Sequence, residues 1–189
     1  MVGKYFMIGL IVLFLALLGS GCALLGLEEE EDTAEVAKGS LTDLEGTWIS
    51  SCTNQKVISI TFSGTTHTAQ TRNYSDSSCS IARYNSDLQV SSLSAGPATT
   101  LSDQTSGYSF YGKTSLQTVT PKSSSGARDL NSAAYCGETS WQLDTSTSIA
   151  GKTCANSTFS SNGSDYADKY KISGSILTLD NFQTTFTKQ

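Results

Sequence analysis

A single histidine, His67, occurs in the 189 residues. A serine–histidine–aspartate relay therefore has one candidate base. His67 stands in Thr65-Thr66-His67-Thr68, a polar strand start, and reads as a surface side chain. No serine sits in a Gly-x-Ser-x-Gly elbow. No glycine loop able to cradle phosphate is present, because Gly151-Lys152-Thr153 lacks the glycine-rich lead-in. Metal binding lacks histidine partners and an acidic cluster in the domain. Asp165 and Asp168, three apart, read as a solvated rim and not as a glycosidase pair, since spacing in sequence does not set separation across a sugar. Proline is scarce, with two residues in the chain, and long helical periodicity is absent. An excess of charge is absent from the domain as well. Six of the seventeen acidic groups fall between Glu28 and Glu35, and from Val36 onward eleven acidic groups face eleven basic ones. A balanced domain has no electrostatic footprint for nucleic acid. The expectation is a non-enzymatic protein with no cofactor, no metal and no nucleic-acid partner.

The N-terminus is more informative. Lys4 precedes an apolar run from Tyr5 to Leu18. At ~1.5 Å per residue that run covers about 21 Å, short of the ~30 Å hydrocarbon core. Gly19-Ser20-Gly21 and then Cys22 follow. The segment resembles the lipobox of bacterial lipoproteins in Ser20, Gly21 and Cys22, with Gly19 where leucine is usual. The resemblance implies a signal peptide over 1–21. It makes Cys22 the lipid attachment site, with acyl chains such as palmitate anchoring the protein to the cell-envelope membrane. Ala23, where an aspartate would signal retention, resembles outer-membrane lipoproteins and favours outer membrane over inner. Residues 22–40 form an acidic tether, which stays solvated and is repelled by anionic lipid. The domain proper is 41–189.

Setting Cys22 aside leaves Cys52, Cys79, Cys136 and Cys154. An even number in an exported chain implies two disulfides. Three connectivities are possible. Sequential pairing, Cys52–Cys79 and Cys136–Cys154, is favoured because neighbouring hairpins make local partners. Each closed loop would contribute roughly 3 kcal/mol. The rival is a four-cysteine zinc site, which lacks any close cysteine pair.

Beyond Val36 the chain is rich in Ser and Thr, with short alternating runs that argue for strands. Ile58, Ile60 and Phe62 share one face before the Ser63-Gly64 turn, and His67 to Tyr74 returns. Tyr170-Lys171-Ile172 and Ile176 to Leu179 flank Ser173-Gly174-Ser175, a second hairpin. Phe182, Thr184 and Phe186 alternate on a last strand. Weaker strands are expected at 88–93, 107–111, 116–120 and 139–143, with loops at 94–106, 121–135 and 155–167. Nine or ten strands at this spacing suit an all-β barrel, with a β-sandwich as the alternative.

Leu44-Glu45-Gly46-Thr47-Trp48 opens the β region, with Ser51-Cys52 after it. Gly46 and Trp48 match the Gly-x-Trp signature of lipocalins. With Tyr74-Ser75-Asp76 and Cys79, the stretch Leu44–Cys79 resembles lipocalin-like barrels of the adenomatosis-polyposis-coli-down-regulated ectodomain type. The resemblance implies an antiparallel barrel plugged at one end by Trp48. Gly46 would allow close backbone approach, and Lys188 would lie over the indole. It also implies a small hydrophobic or amphipathic ligand. The alternative is a structural or surface-interaction lipoprotein meeting an unknown protein partner, with an exposed aromatic patch around Tyr108, Phe110 and Tyr111. An enclosed apolar cavity favours the first reading and a side-chain-filled barrel the second.

Overall fold

The computed structural model describes residues 37–189. The expected signal peptide, Cys22 and most of the expected tether, up to residue 36, lie outside the described residues. The elements in chain order are α1 (Leu41–Leu44), β1 (Gly46–Ser50), β2 (Lys56–Ser63), β3 (Thr66–Tyr74), β4 (Ala82–Thr100) and β5 (Ser106–Pro121). Next come α2 (Ser124–Ser132), three two-residue strands β6 (Thr147–Ser148), β7 (Thr153–Cys154) and β8 (Ser157–Thr158), then β9 (Asp165–Ser173), β10 (Ile176–Leu179) and β11 (Thr184–Lys188). The ring runs β4-β3-β2-β1-β11-β10-β9-β5 and returns to β4. The fold is therefore a closed eight-stranded antiparallel barrel, the expected class, and not the sandwich alternative. Closure leaves no ring strand with an unpaired edge.

Alternation places the interior residues in layers. Gly46, Phe62, His67 and Val90 lie side by side across β1 to β4. Trp48, Ile60, Ala69 and Leu88 form the next layer. One end, the base, carries the Ser63-Gly64 turn, the β9–β10 turn and the C-terminus. The opposite end, the mouth, carries the β1–β2 and β3–β4 loops, the β10–β11 turn and a long excursion over 122–164. Ala37 to Gly39, inside the stretch read as tether, joins the barrel: Lys38 bridges Pro97, and Gly39 donates to the Gly96 carbonyl at 3.0 Å.

Several local expectations differ from the structure. Phe182, expected on the last strand with Thr184 and Phe186, lies in the turn that precedes β11. Residues 94–100 continue β4, and 107–111 and 116–120 form one strand, β5. The β4–β5 ladder carries register shifts at Gln89/Val90, Ser91/Ser94 and Ala95/Ala98, and these bulges scramble the alternation that marks a strand. Residues 124–132, expected as loop, form α2. Ser123 caps it, accepting from the Gly126 N–H at 3.0 Å. Gly126 is required there, since a Cβ would lie 2.1 Å from the Arg83 carbonyl oxygen on β4. Residues 139–143, expected as a strand, form none.

Both disulfides pair sequentially, Cys52–Cys79 and Cys136–Cys154. The first ties the β1–β2 loop to the β3–β4 loop at the mouth. The second sits in a small core of the excursion with Val119, Leu130, Trp141 and Ile149.

Candidate functional site: the mouth of the barrel

The base is solid. Trp48 is 1 % exposed, and its indole N–H donates to the Leu44 carbonyl at 2.6 Å. The Lys188 ammonium lies 5.0 Å from the ring centroid, as the resemblance implied. Gly46 has φ +107°, where glycine is favoured, and the atom nearest an added Cβ is Lys188 Cε at 3.4 Å. Its requirement is thus backbone conformation more than close approach. Leu44, Phe110, Tyr170, Leu177, Leu179 and Phe186 complete the packing around Trp48.

Two polar residues of this interior were expected at the surface. His67 is fully buried, because its register places it between Phe62 on β2 and Val90 on β4. Its ring stacks on Phe62 with centroids 5.2 Å apart and meets Phe110 edge-on. Neither ring nitrogen has a hydrogen-bond partner, and burial pushes its pKa down to about 4. Asp168, read as solvated rim, is 3 % exposed. It accepts from the Lys169 N–H at 2.7 Å, the Asn181 N–H at 3.0 Å and the Tyr166 hydroxyl at 3.3 Å. Burial nevertheless raises its pKa to about 6. Asp165 is exposed and paired with Lys113 at 2.6 Å. Phe110, read as part of an exposed aromatic patch, is buried and Tyr108 is half-buried; Tyr111 alone of the three is exposed.

Toward the mouth two of the four inward positions on β1 to β4 lose bulk. Ser50 succeeds Trp48 and Ser86 succeeds Leu88, while Ile58 and Thr71 succeed Ile60 and Ala69, so this section of the barrel is filled less completely. The result is a half-open cleft of about 190 Å³ bordered by Ala69, Thr71, Leu88, Gln117, Ile149, Phe159 and Phe182. Ile149 and Phe159 come from the excursion, which thus supplies one wall. Gln117 is 8 % exposed, and its Oε1 is enclosed with no hydrogen-bond partner. Phe182 also borders a second cleft of about 300 Å³, lined by Ser50, Thr53, Lys56 and Ile58 among others.

The loops around the mouth are held firmly. Asp76 accepts from the Ser78 hydroxyl and from the Ser80 and Ile81 N–H groups, the latter at 3.1 and 2.7 Å. The Ser78 and Ile81 bonds, in that order, hold its carboxyl well below the usual range. This is the local reason for an aspartate in Tyr74-Ser75-Asp76: it fixes the turn that presents Cys79 to Cys52. Asn131 clamps the excursion, accepting from the Trp141 N–H at 2.6 Å and donating to its carbonyl at 3.0 Å.

Sequence reasoning located the base residues but not the mouth. Thr71, Ser86 and Gln117 carry no motif. The usable signal was negative: small polar residues at inward positions of a barrel strand. Among the described residues no group of three His, Cys, Asp or Glu side chains is placed to hold a metal ion. No protein-family model and no curated protein matches this chain.

Proposed function

We propose that this protein is a membrane-anchored envelope lipoprotein whose barrel mouth binds a small hydrophobic or amphipathic ligand. The observation that carries the reading is the apolar cleft beneath Phe182, where the barrel is filled less completely. Its volume is below the ~300–1,000 Å³ of drug-sized sites, so it suits a short chain or a single ring, not a bulky lipid. The packed base favours the second reading, a structural or interaction lipoprotein, because it leaves no deep enclosed chamber. The binding reading is preferred because the mouth cleft has apolar walls on both the barrel and the excursion.

An environment-sensitive apolar fluorophore is expected to bind saturably and to be displaced by an extract of envelope lipids. Thr71→Trp fills the cleft from β3 and should abolish that binding while leaving the melting temperature within a few degrees of native. Non-saturable binding, or a Thr71→Trp variant that binds like the native chain, would transfer preference to the interaction reading.

Anchoring is tested separately. Cys22→Ser should abolish acylation and block lipoprotein processing, read by intact mass and by metabolic labelling with a fatty acid. A native mature chain that begins at another residue and carries no lipid would refute the anchor.

A further inference from the structure

We propose that the Cys52–Cys79 bridge is a reversible thiol–disulfide exchange site, opened by a dithiol reductant without unfolding of the barrel, whereas Cys136–Cys154 is sealed. The inference does not depend on a ligand at the mouth. It comes from how differently one fold houses its two bridges. Cys52 is exposed and Cys79 half-buried, while Cys136 and Cys154 are 7 % and 2 % exposed. The inner pair packs in the small core with Leu130, Trp141 and Ile149. Backbone strain does not separate the two, since Cys79 has φ +54° and Cys136 φ +57°. Access does. Ser51, Thr53, Ser77, Ser78 and Ser80 flank the outer bridge and are all small and exposed. An attacking thiolate can therefore approach the sulfurs, and exposed disulfides are the exchangeable ones. Asp76 would repel a thiolate, but its carboxylate is engaged by the Ser78 and Ser80 hydroxyls and by the Ser80 and Ile81 N–H groups.

The two loops hold their shape without the sulfurs. Thr53 and Lys56 exchange both backbone hydrogen bonds, at 2.9 and 3.0 Å, around Asn54 and Gln55 at φ +51° and +61°, a self-closing two-residue hairpin. In the β3–β4 loop the Ser75 N–H donates to the Ile81 carbonyl at 2.9 Å. The Tyr74 N–H donates to the Gln55 carbonyl at 2.8 Å and ties one loop to the other. The Cα atoms of Cys52 and Cys79, 6.0 Å apart, thus stay within bridging range once reduced. In the exchange a thiolate of the reductant attacks Cys52 Sγ. The S–S bond breaks, and its electron pair leaves on Cys79 Sγ, which takes a proton from water. The second thiol of the reductant, as its thiolate, then displaces Cys52 Sγ, which is protonated in turn. The reductant departs as a disulfide, and two electrons have passed to the protein.

The test exposes the full chain to graded dithiothreitol, quenches by alkylation and reads each cysteine by peptide mass mapping, with tryptophan fluorescence reporting the fold. Cys52 and Cys79 should be reduced about tenfold faster than Cys136 and Cys154, at unchanged fluorescence, and removal of the reductant should restore the same bridge. The double variant Cys52→Ser/Cys79→Ser should stay folded and leave Cys136 and Cys154 unlabelled under those conditions. Equal rates for the two bridges, or earlier opening of Cys136–Cys154, would overturn the proposal. So would an outer bridge that opens only as the fluorescence becomes that of the unfolded chain, or a double variant that fails to fold.

Discussion

Trp48→Ala should lower the unfolding free energy by about 3–5 kcal/mol, the range for emptying a buried aromatic site. The indole is enclosed by the base cluster, so the surrounding strands, locked by ladders on both sides, have little freedom to collapse into the void. The loss has a polar part as well. Without the indole N–H the Leu44 carbonyl loses its donor, and Lys188 loses the ring face. Trp48→Phe keeps most of the packing and removes the hydrogen bond, and should cost about 1 kcal/mol more than its lost volume alone. Denaturant titration decides the matter: the midpoint should fall sharply in the alanine variant at nearly constant slope. A midpoint within experimental error of the native value would show that the base does not depend on Trp48.

The second large effect is a pH profile that is flat because two opposing slopes cancel. His67 has a folded pKa of about 4 against 6.5 in the unfolded chain. Between these values the unfolded chain binds the proton and the native one does not, so stability falls as pH drops. The full loss, below pH 4, is about 3 kcal/mol. Asp168 has a folded pKa of about 6 against 3.8 unfolded. Over nearly the same window the native state holds this proton and the unfolded chain does not. Its contribution is greatest below pH 3.8 and is lost as pH rises through 6, again by about 3 kcal/mol. From pH 4 to 6 the two terms offset. His67→Phe should therefore expose a stability that decreases with rising pH in this window, and Asp168→Asn one that increases. Melting curves collected at half-unit intervals suffice. Parallel profiles for native and both variants would show that these buried groups do not control the acid response.

The base of the barrel was readable in the sequence because its signals are local. Gly46-Thr47-Trp48 is contiguous, Ile58 to Phe62 alternates cleanly, and cysteines on neighbouring loops pair as spacing suggests. What could not be read depends on register between distant strands. His67 sits among threonines, and nothing in its neighbours discloses that Phe62 and Val90 flank it. Asp168 alternates with Tyr166 and Tyr170 on β9, so its inward position was available in principle. Its charge argued for water, and three hydrogen-bond donors, two backbone N–H groups and one hydroxyl, made the interior tolerable. The helix at 124–132 was hidden by serine, asparagine and glycine, which favour caps and turns over helix interiors. It forms because Ala127 and Leu130 are buried and because Gly126 admits the β4 backbone. Tertiary packing overrode propensity there.

The seam between β1 and β11 joins the first strand of the ring to the last. Trp48 stands opposite Lys188, and the final residue, Gln189, donates to the Thr47 carbonyl at 3.0 Å. Contacts so remote along the chain demand closure of a long loop before they return any stabilisation, which slows folding. During N-to-C synthesis the ring therefore stays an open sheet, with β1 offering unpaired N–H and C=O groups, until the last dozen residues arrive. A chain in that state has not committed to its final shape, and truncation of even β11 would leave a sticky edge in place of a closed wall. The timing of barrel closure is thus set by β11, the last strand of the ring to be made.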